Sequence, residues 1–130
     1  MAGGAPIADE IRRFILTSIP SVPYLEAMLL LRNDTASPWD SARLAQRLYL
    51  TEKAAAALLT ELHEAGVVQT EPDTATLYRF SPASDTLRDM IDRLAVTYAA
   101  HLVEVTNLIH SRTGKKAQQF ADAFKWRKDS

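Results

Sequence analysis

The chain has no cysteine, which excludes disulfides, thiolate-bound metal and a cysteine nucleophile. Glycine is nearly as scarce: Gly3, Gly4, Gly66 and Gly114 are the only four in 130 residues. Neither a dinucleotide-binding fingerprint nor a P-loop can be built from them, because both need clustered glycines where backbone approaches phosphate. No apolar run nears the roughly 20 residues that a membrane-spanning helix requires; "AMLLL" is typical of those present. The first residues, "MAGGAPIADEIRRF", lack the basic region and apolar stretch of a secretory signal, so a cytoplasmic setting is expected. The formal charge is only −1, and no strong overall field draws the chain to nucleic acid or an anionic membrane.

Catalytic groupings are missing too. His63, His101 and His110 do not pair with one another at i, i+3 or i, i+4. His101 and Glu104 lie one turn apart, but two ligands fall short of a zinc site. Asp85, Asp89 and Asp92 flank the start of a helix, where acids suit its dipole, and form a face rather than a catalytic pair. The expectation is a non-enzymatic protein with no cofactor and no metal.

What the sequence does hold is apolar material, 47% of its residues, enough for the core of one domain at this length. Residues 1–8 read as a flexible tail. Ile11, Phe14, Ile15 and Ile19 predict a short amphipathic helix opening at Asp9 and Glu10 and stopped by Pro20. Ser21 and Pro23 suit the start of a second helix carrying Leu25, Met28, Leu29 and Leu31. After the loop composition "RNDTASP", Asp40 or Ser41 caps a helix with Leu44, Ala45 and Leu48 facing inward. Thr51 caps another that runs through Leu58, Leu59 and Leu62 to Ala65, and Gly66 follows where a left-handed residue ends a helix. "VVQT" and "TLYRF" around "EPDTA" predict a β-hairpin. Ser81 or Ser84, with Pro82 in the first turn, then starts a long helix. Its stripe of Leu87, Ile91, Leu94, Tyr98, Leu102, Val105 and Ile109 predicts one continuous rod over 84–111, about 40 Å long. A rod of that length outruns so small a body, so part of the stripe is expected to meet another chain or the N-terminal helices, with a homodimer through it the expected assembly.

The stretch "WDSARLAQRLYLTEKAAAALLTELHEAGVV", followed by the hairpin through "LYRFSP", resembles the winged helix-turn-helix domain of bacterial MarR-like transcription regulators over about residues 22 to 110. The resemblance implies a mainly α (α+β) fold with a two-stranded wing, a winged-helix domain over 9–111, and DNA binding with the helix from Thr51 as reader. On that reading the outward positions of the reader helix are Thr51, Glu52, Lys53, Ala54, Ala56, Ala57 and Glu61. Arg43, Arg47 and Arg79 are the candidate phosphate contacts, and Glu71 and Asp73 lie at the wing.

The residue chemistry points elsewhere. Reading base edges needs the donors and acceptors of Arg, Lys, Asn or Gln, whereas this helix offers four consecutive alanines and one cation, Lys53. Between Thr51 and Phe80 two cations, Lys53 and Arg79, stand against five anions, Glu52, Glu61, Glu64, Glu71 and Asp73. Phosphate neutralisation supplies most non-specific DNA affinity, and such a face repels it. Small side chains instead let another protein approach closely while keeping the helix strong. The expected function is therefore a regulatory adaptor acting through protein contacts; the alternative is a MarR-like DNA-binding regulator. A ligand sensor with Tyr24 or Tyr98 lining an effector groove is a third reading.

Residues 112–130 form a distinct basic aromatic segment. Six cations, Arg112, Lys115, Lys116, Lys125, Arg127 and Lys128, outnumber Asp122 and Asp129, and Phe120, Phe124 and Trp126 are interleaved. Phe120 and Phe124 share a face at i, i+4 spacing. Packing on its own domain or a dimer mate, docking into a partner groove, contact with an acidic surface and weak membrane association are all open to it.

Overall fold

A computed structural model describes residues 7–112. The expectations for residues 1–6 and for Phe120, Phe124 and Trp126 lie outside the described residues. Among those described, the chain is mainly helical with one small antiparallel sheet, an α+β architecture. The elements are α1 (Asp9–Ser18), α2 (Val22–Asn33), α3 (Ser41–Leu48), α4 (Glu52–Glu64), β1 (Val68–Glu71), β2 (Thr74–Phe80), α5 (Asp85–Ala100) and α6 (102–112). No single helix among them is long and apolar enough to cross a membrane.

These elements fall into two compact units where the sequence pattern suggests one body over 9–111. One comprises Pro23–Ala95; the other joins the N-terminal residues through Val22 to the stretch from Val96 onward. Apolar periodicity marks which face of a helix is buried, but not which core that face joins.

In the second of these units, Ile11, Ile15 and Ile19 recur every four residues and are buried, as are Val105 and Ile109 of α6. Ile7 is buried too, at 8% exposure, although residues 1–8 read as a tail from composition. Asp9 and Glu10 occupy the first turn of α1, where carboxylates meet unpaired N–H groups.

In Pro23–Ala95 the local chemistry of each cap is visible. The Asp40 carboxylate accepts the Arg43 N–H at 2.8 Å and starts α3. Thr51 Oγ1 accepts the Ala54 N–H at 3.0 Å and starts α4. That helix ends in a Schellman motif: Val67 N–H donates to the Leu62 carbonyl and Gly66 N–H to that of His63. Gly66 has φ +78°, and a Cβ there would meet the Ala83 Cβ at 3.2 Å, so conformation and space both select glycine. Ser84, not Ser81, caps α5 through the Leu87 N–H. The helix begins at Asp85, which leaves Pro82 outside its first turn.

β1 and β2 pair antiparallel with Val68 opposite Phe80 and Thr70 opposite Tyr78. The register shifts after Thr70, so that Glu71 faces Thr74 across the two-residue turn Pro72–Asp73. Trp39 adds a bridge to the outer side of β2, exchanging 2.8 Å backbone hydrogen bonds with Tyr78 in both directions. The helical core of Pro23–Ala95 is drawn from Tyr24, Leu25, Ala27, Met28 and Leu31 of α2, Leu44 and Ala45 of α3, Ala55, Leu58, Leu59 and Leu62 of α4, and Ile91 and Leu94 of α5.

The continuous rod expected over 84–111 is not formed. The helical pattern is interrupted at His101, whose N–H closes α5 on the Thr97 carbonyl and whose own carbonyl accepts the Val105 N–H to open α6. The His101 ring lies 2.8 Å from the Glu104 carboxylate, three residues on. This break takes Leu102 out of the buried stripe. It stands 54% exposed, beside Val103 at 62% and close in sequence to Val96 at 71%.

Candidate functional site

α4 turns Ala55, Leu58, Leu59 and Leu62 inward. By helical geometry the opposite face runs through Lys53, Ala56, Ala57, Thr60, Glu61 and Glu64, and all six are exposed. Thr51, Glu52 and Ala54 are exposed as well. Every candidate reader position is thus at the surface, with the Thr51 hydroxyl already accepting the Ala54 N–H. Of the four alanines only Ala55 belongs to the core.

The three arginines proposed for phosphate contact have other occupations. Arg43 Nη2 lies 2.9 Å from the Asp34 carboxylate, and Nη1 donates to the carbonyls of Ser37 and Pro38. Its guanidinium also lies over the Trp39 ring, 3.7 Å from the centroid. Arg47 reaches the same Asp34 at 4.0 Å and lies farther out over Trp39. Arg79 pairs with Glu71 at 2.6 Å across the hairpin and donates to the Thr35 carbonyl. A carboxylate beside a guanidinium offsets part of its charge and so lowers its attraction for a phosphate. Glu71 is half-buried, and Asp73 is exposed at the turn.

A residue that the periodicity does not single out is Tyr49. It stands at the end of α3, two residues before the Thr51 cap, with φ 57° and 95% exposure. A left-handed backbone is costly for a bulky side chain, and an aromatic ring in water gains nothing from burial. In "RLYLT" the ring sits between Leu48 and Leu50, and only its position just out of phase with Leu44, Ala45 and Leu48 hints at exposure. Replacing Tyr49 by glycine is expected to stabilise the fold by about 1 kcal/mol, since glycine removes the left-handed penalty of ~1–2 kcal/mol. Urea denaturation measures it, and an unchanged or lower midpoint contradicts this account.

Tyr24 of α2 is buried, 4% exposed. Burial first, and the negative charge of Glu61 second, raise its phenol above the ordinary value of 10.0. A folded-state value above the unfolded one means that the unfolded chain releases the proton more readily. The resulting stability is complete below about pH 10 and is lost as pH rises through the folded value. Alkaline unfolding is therefore expected to begin above about pH 10, and Tyr24→Phe to flatten it. Melting curves from pH 8 to 11 decide, and equal slopes for both proteins would contradict it.

Other features recruit less. His63 makes an edge contact with Tyr78, ring centroids 5.9 Å apart. Among the described residues no three His, Asp or Glu side chains come together as metal ligands. A cavity of about 450 Å³ is lined by Ile7, Arg12, Glu104, Asn107, Leu108 and Ser111; neither Tyr24 nor Tyr98 lines it. No protein-family model and no curated protein matches this chain.

Proposed function

We propose that the protein is a winged-helix-like adaptor that acts by binding another protein through the outward face of α4 and Tyr49. The fold-level part of this reading is supported by the element order, by the capped α3–α4 pair, and by the Trp39 bridge that joins the segment before α3 to the hairpin. A fold of this kind serves DNA and protein partners alike, so the surface must decide.

The carrying observation is how charge is distributed. Arg43 and Arg79 pair with Asp34 and Glu71, while the α4 face presents alanines edged by Glu52, Glu61 and Glu64. A shallow apolar centre with a charged rim and an exposed aromatic is the anatomy of a protein contact. The same face lacks the donors that base edges require.

A titration of mixed-sequence duplex DNA, followed by fluorescence anisotropy, tests this. At about 50 mM salt, where a cationic surface binds best, no binding is expected. Micromolar binding that collapses at about 200 mM salt and weakens on Lys53→Ala or Arg47→Ala would instead establish the DNA-binding alternative.

A further inference from the structure

We infer that the occupant of the α4 face is the basic aromatic segment 112–130 of a second copy of this chain, exchanged reciprocally between two copies. This rests on the docking reading above and names its partner.

The α4 face calls for a cation. Within Pro23–Ala95 the acids Asp34, Glu71 and Asp92 are neutralised by Arg43, Arg79 and Arg32. Glu52 and Glu64 have no ion-pair partner among the described residues, and Lys53 is the only cation on the same helix. The face also calls for apolar bulk, since Ala56 and Ala57 leave a shallow surface beside the exposed ring of Tyr49.

Segment 112–130 carries what that surface lacks. Its six cations outnumber two anions, and Phe120, Phe124 and Trp126 stand among them. In the pairing the aromatics meet the alanine centre while Lys125, Arg127 and Lys128 meet the acidic rim, so face and segment are opposite in charge.

A second copy is favoured over the chain's own body by what precedes the segment. Val96, Leu102 and Val103 are exposed, and an apolar surface of this kind favours association with a second copy. Each copy carries one face and one segment, so a two-fold pair satisfies both and closes without growing further.

Charge reversal in the full chain, read by sedimentation velocity over a wide range of protein concentration, tests the pairing. The wild type is expected to dimerise and to dissociate on dilution and in high salt. Glu61→Lys with Glu64→Lys, both exposed positions, is expected to weaken the dimer about tenfold or more. Lys125→Glu with Arg127→Glu and Lys128→Glu is expected to do the same. Mixing these two proteins restores a heterodimer, because the reversed face then meets the reversed segment and the native face the native segment.

A monomeric wild type at every concentration overturns the inference, as does a mixture that fails to pair. Reversed proteins that dimerise as tightly as the wild type also overturn it and place the contact at Val96, Leu102 and Val103. None of these results touches the docking reading, which is tested separately by the duplex titration.

Discussion

Trp39→Ala is expected to lower stability by about 3–5 kcal/mol, the cost of truncating a large buried aromatic. The side chain is 1% exposed, and its surroundings explain why the loss sits at the upper end for one residue. Its indole N–H donates to the Asp34 carbonyl at 2.9 Å. Its face carries the Arg43 guanidinium, which in turn holds Asp34 and the Ser37 and Pro38 carbonyls. Its backbone exchanges two hydrogen bonds with Tyr78. Removing the ring opens a cavity and also frees the arginine that ties the 34–38 loop to α3. Since small domains retain only about 5–15 kcal/mol in total, the variant should stand near the edge of folding. Trp39→Phe keeps a ring but loses the indole donor, leaving the Asp34 carbonyl unpaired at a cost of about 1–3 kcal/mol. Urea midpoints at constant slope measure both. A shift below about 1 kcal/mol for Trp39→Ala would mean that the indole ring does not anchor the 34–38 loop.

The second large effect separates two neighbouring alanines. Ala55 is fully buried on the inward side of α4, and Ala57 is exposed on the outward side. Ala55→Asp places an unpaired charge in the core and is expected to cost several kcal/mol, about 3 or more. Ala57→Arg extends into solvent from a good helix-forming position and should change stability by no more than about 0.5 kcal/mol. Yet the added arginine fills the shallow centre of the proposed docking face, so partner binding should be lost. Thermal melts and a binding assay on the same two proteins read the contrast. If Ala57→Arg unfolds the chain, or leaves binding intact, the division of α4 into a core face and a docking face is wrong.

Most of the local architecture could be read from the residues themselves. Asp40, Thr51 and Ser84 cap helices because their short oxygens reach an N–H three residues on, and that geometry is local. Gly66 reads as a terminator for the same reason, the left-handed turn needing no distant partner. The hairpin follows from β-prone runs flanking Pro72 and Asp73, although the shift after Thr70 does not.

What could not be read depends on distance. Arg79 and Glu71 meet only once the hairpin is paired, and Arg32 and Asp92 are sixty residues apart in sequence. Arg43 and Arg79, read from the sequence as candidate phosphate contacts, pair with Asp34 and Glu71, contacts that spacing does not show. The break at His101 was hidden because Tyr98, Leu102, Val105 and Ile109 keep helical spacing across it, and spacing alone cannot register an interruption. Trp39, placed next to the capping Asp40, gave no sign of its bridge to Tyr78. Tyr49 reads as core from sequence, being an aromatic ring between two leucines.

A photoreactive benzophenone side chain at position 57 tests the central claim most directly, because it reports the chemical class of whatever touches α4. Irradiated in the cells that make the protein, it is expected to give an adduct that nucleases leave intact and proteases destroy. An adduct removed by nuclease would contradict the account and return α4 to the role of a DNA-reading helix.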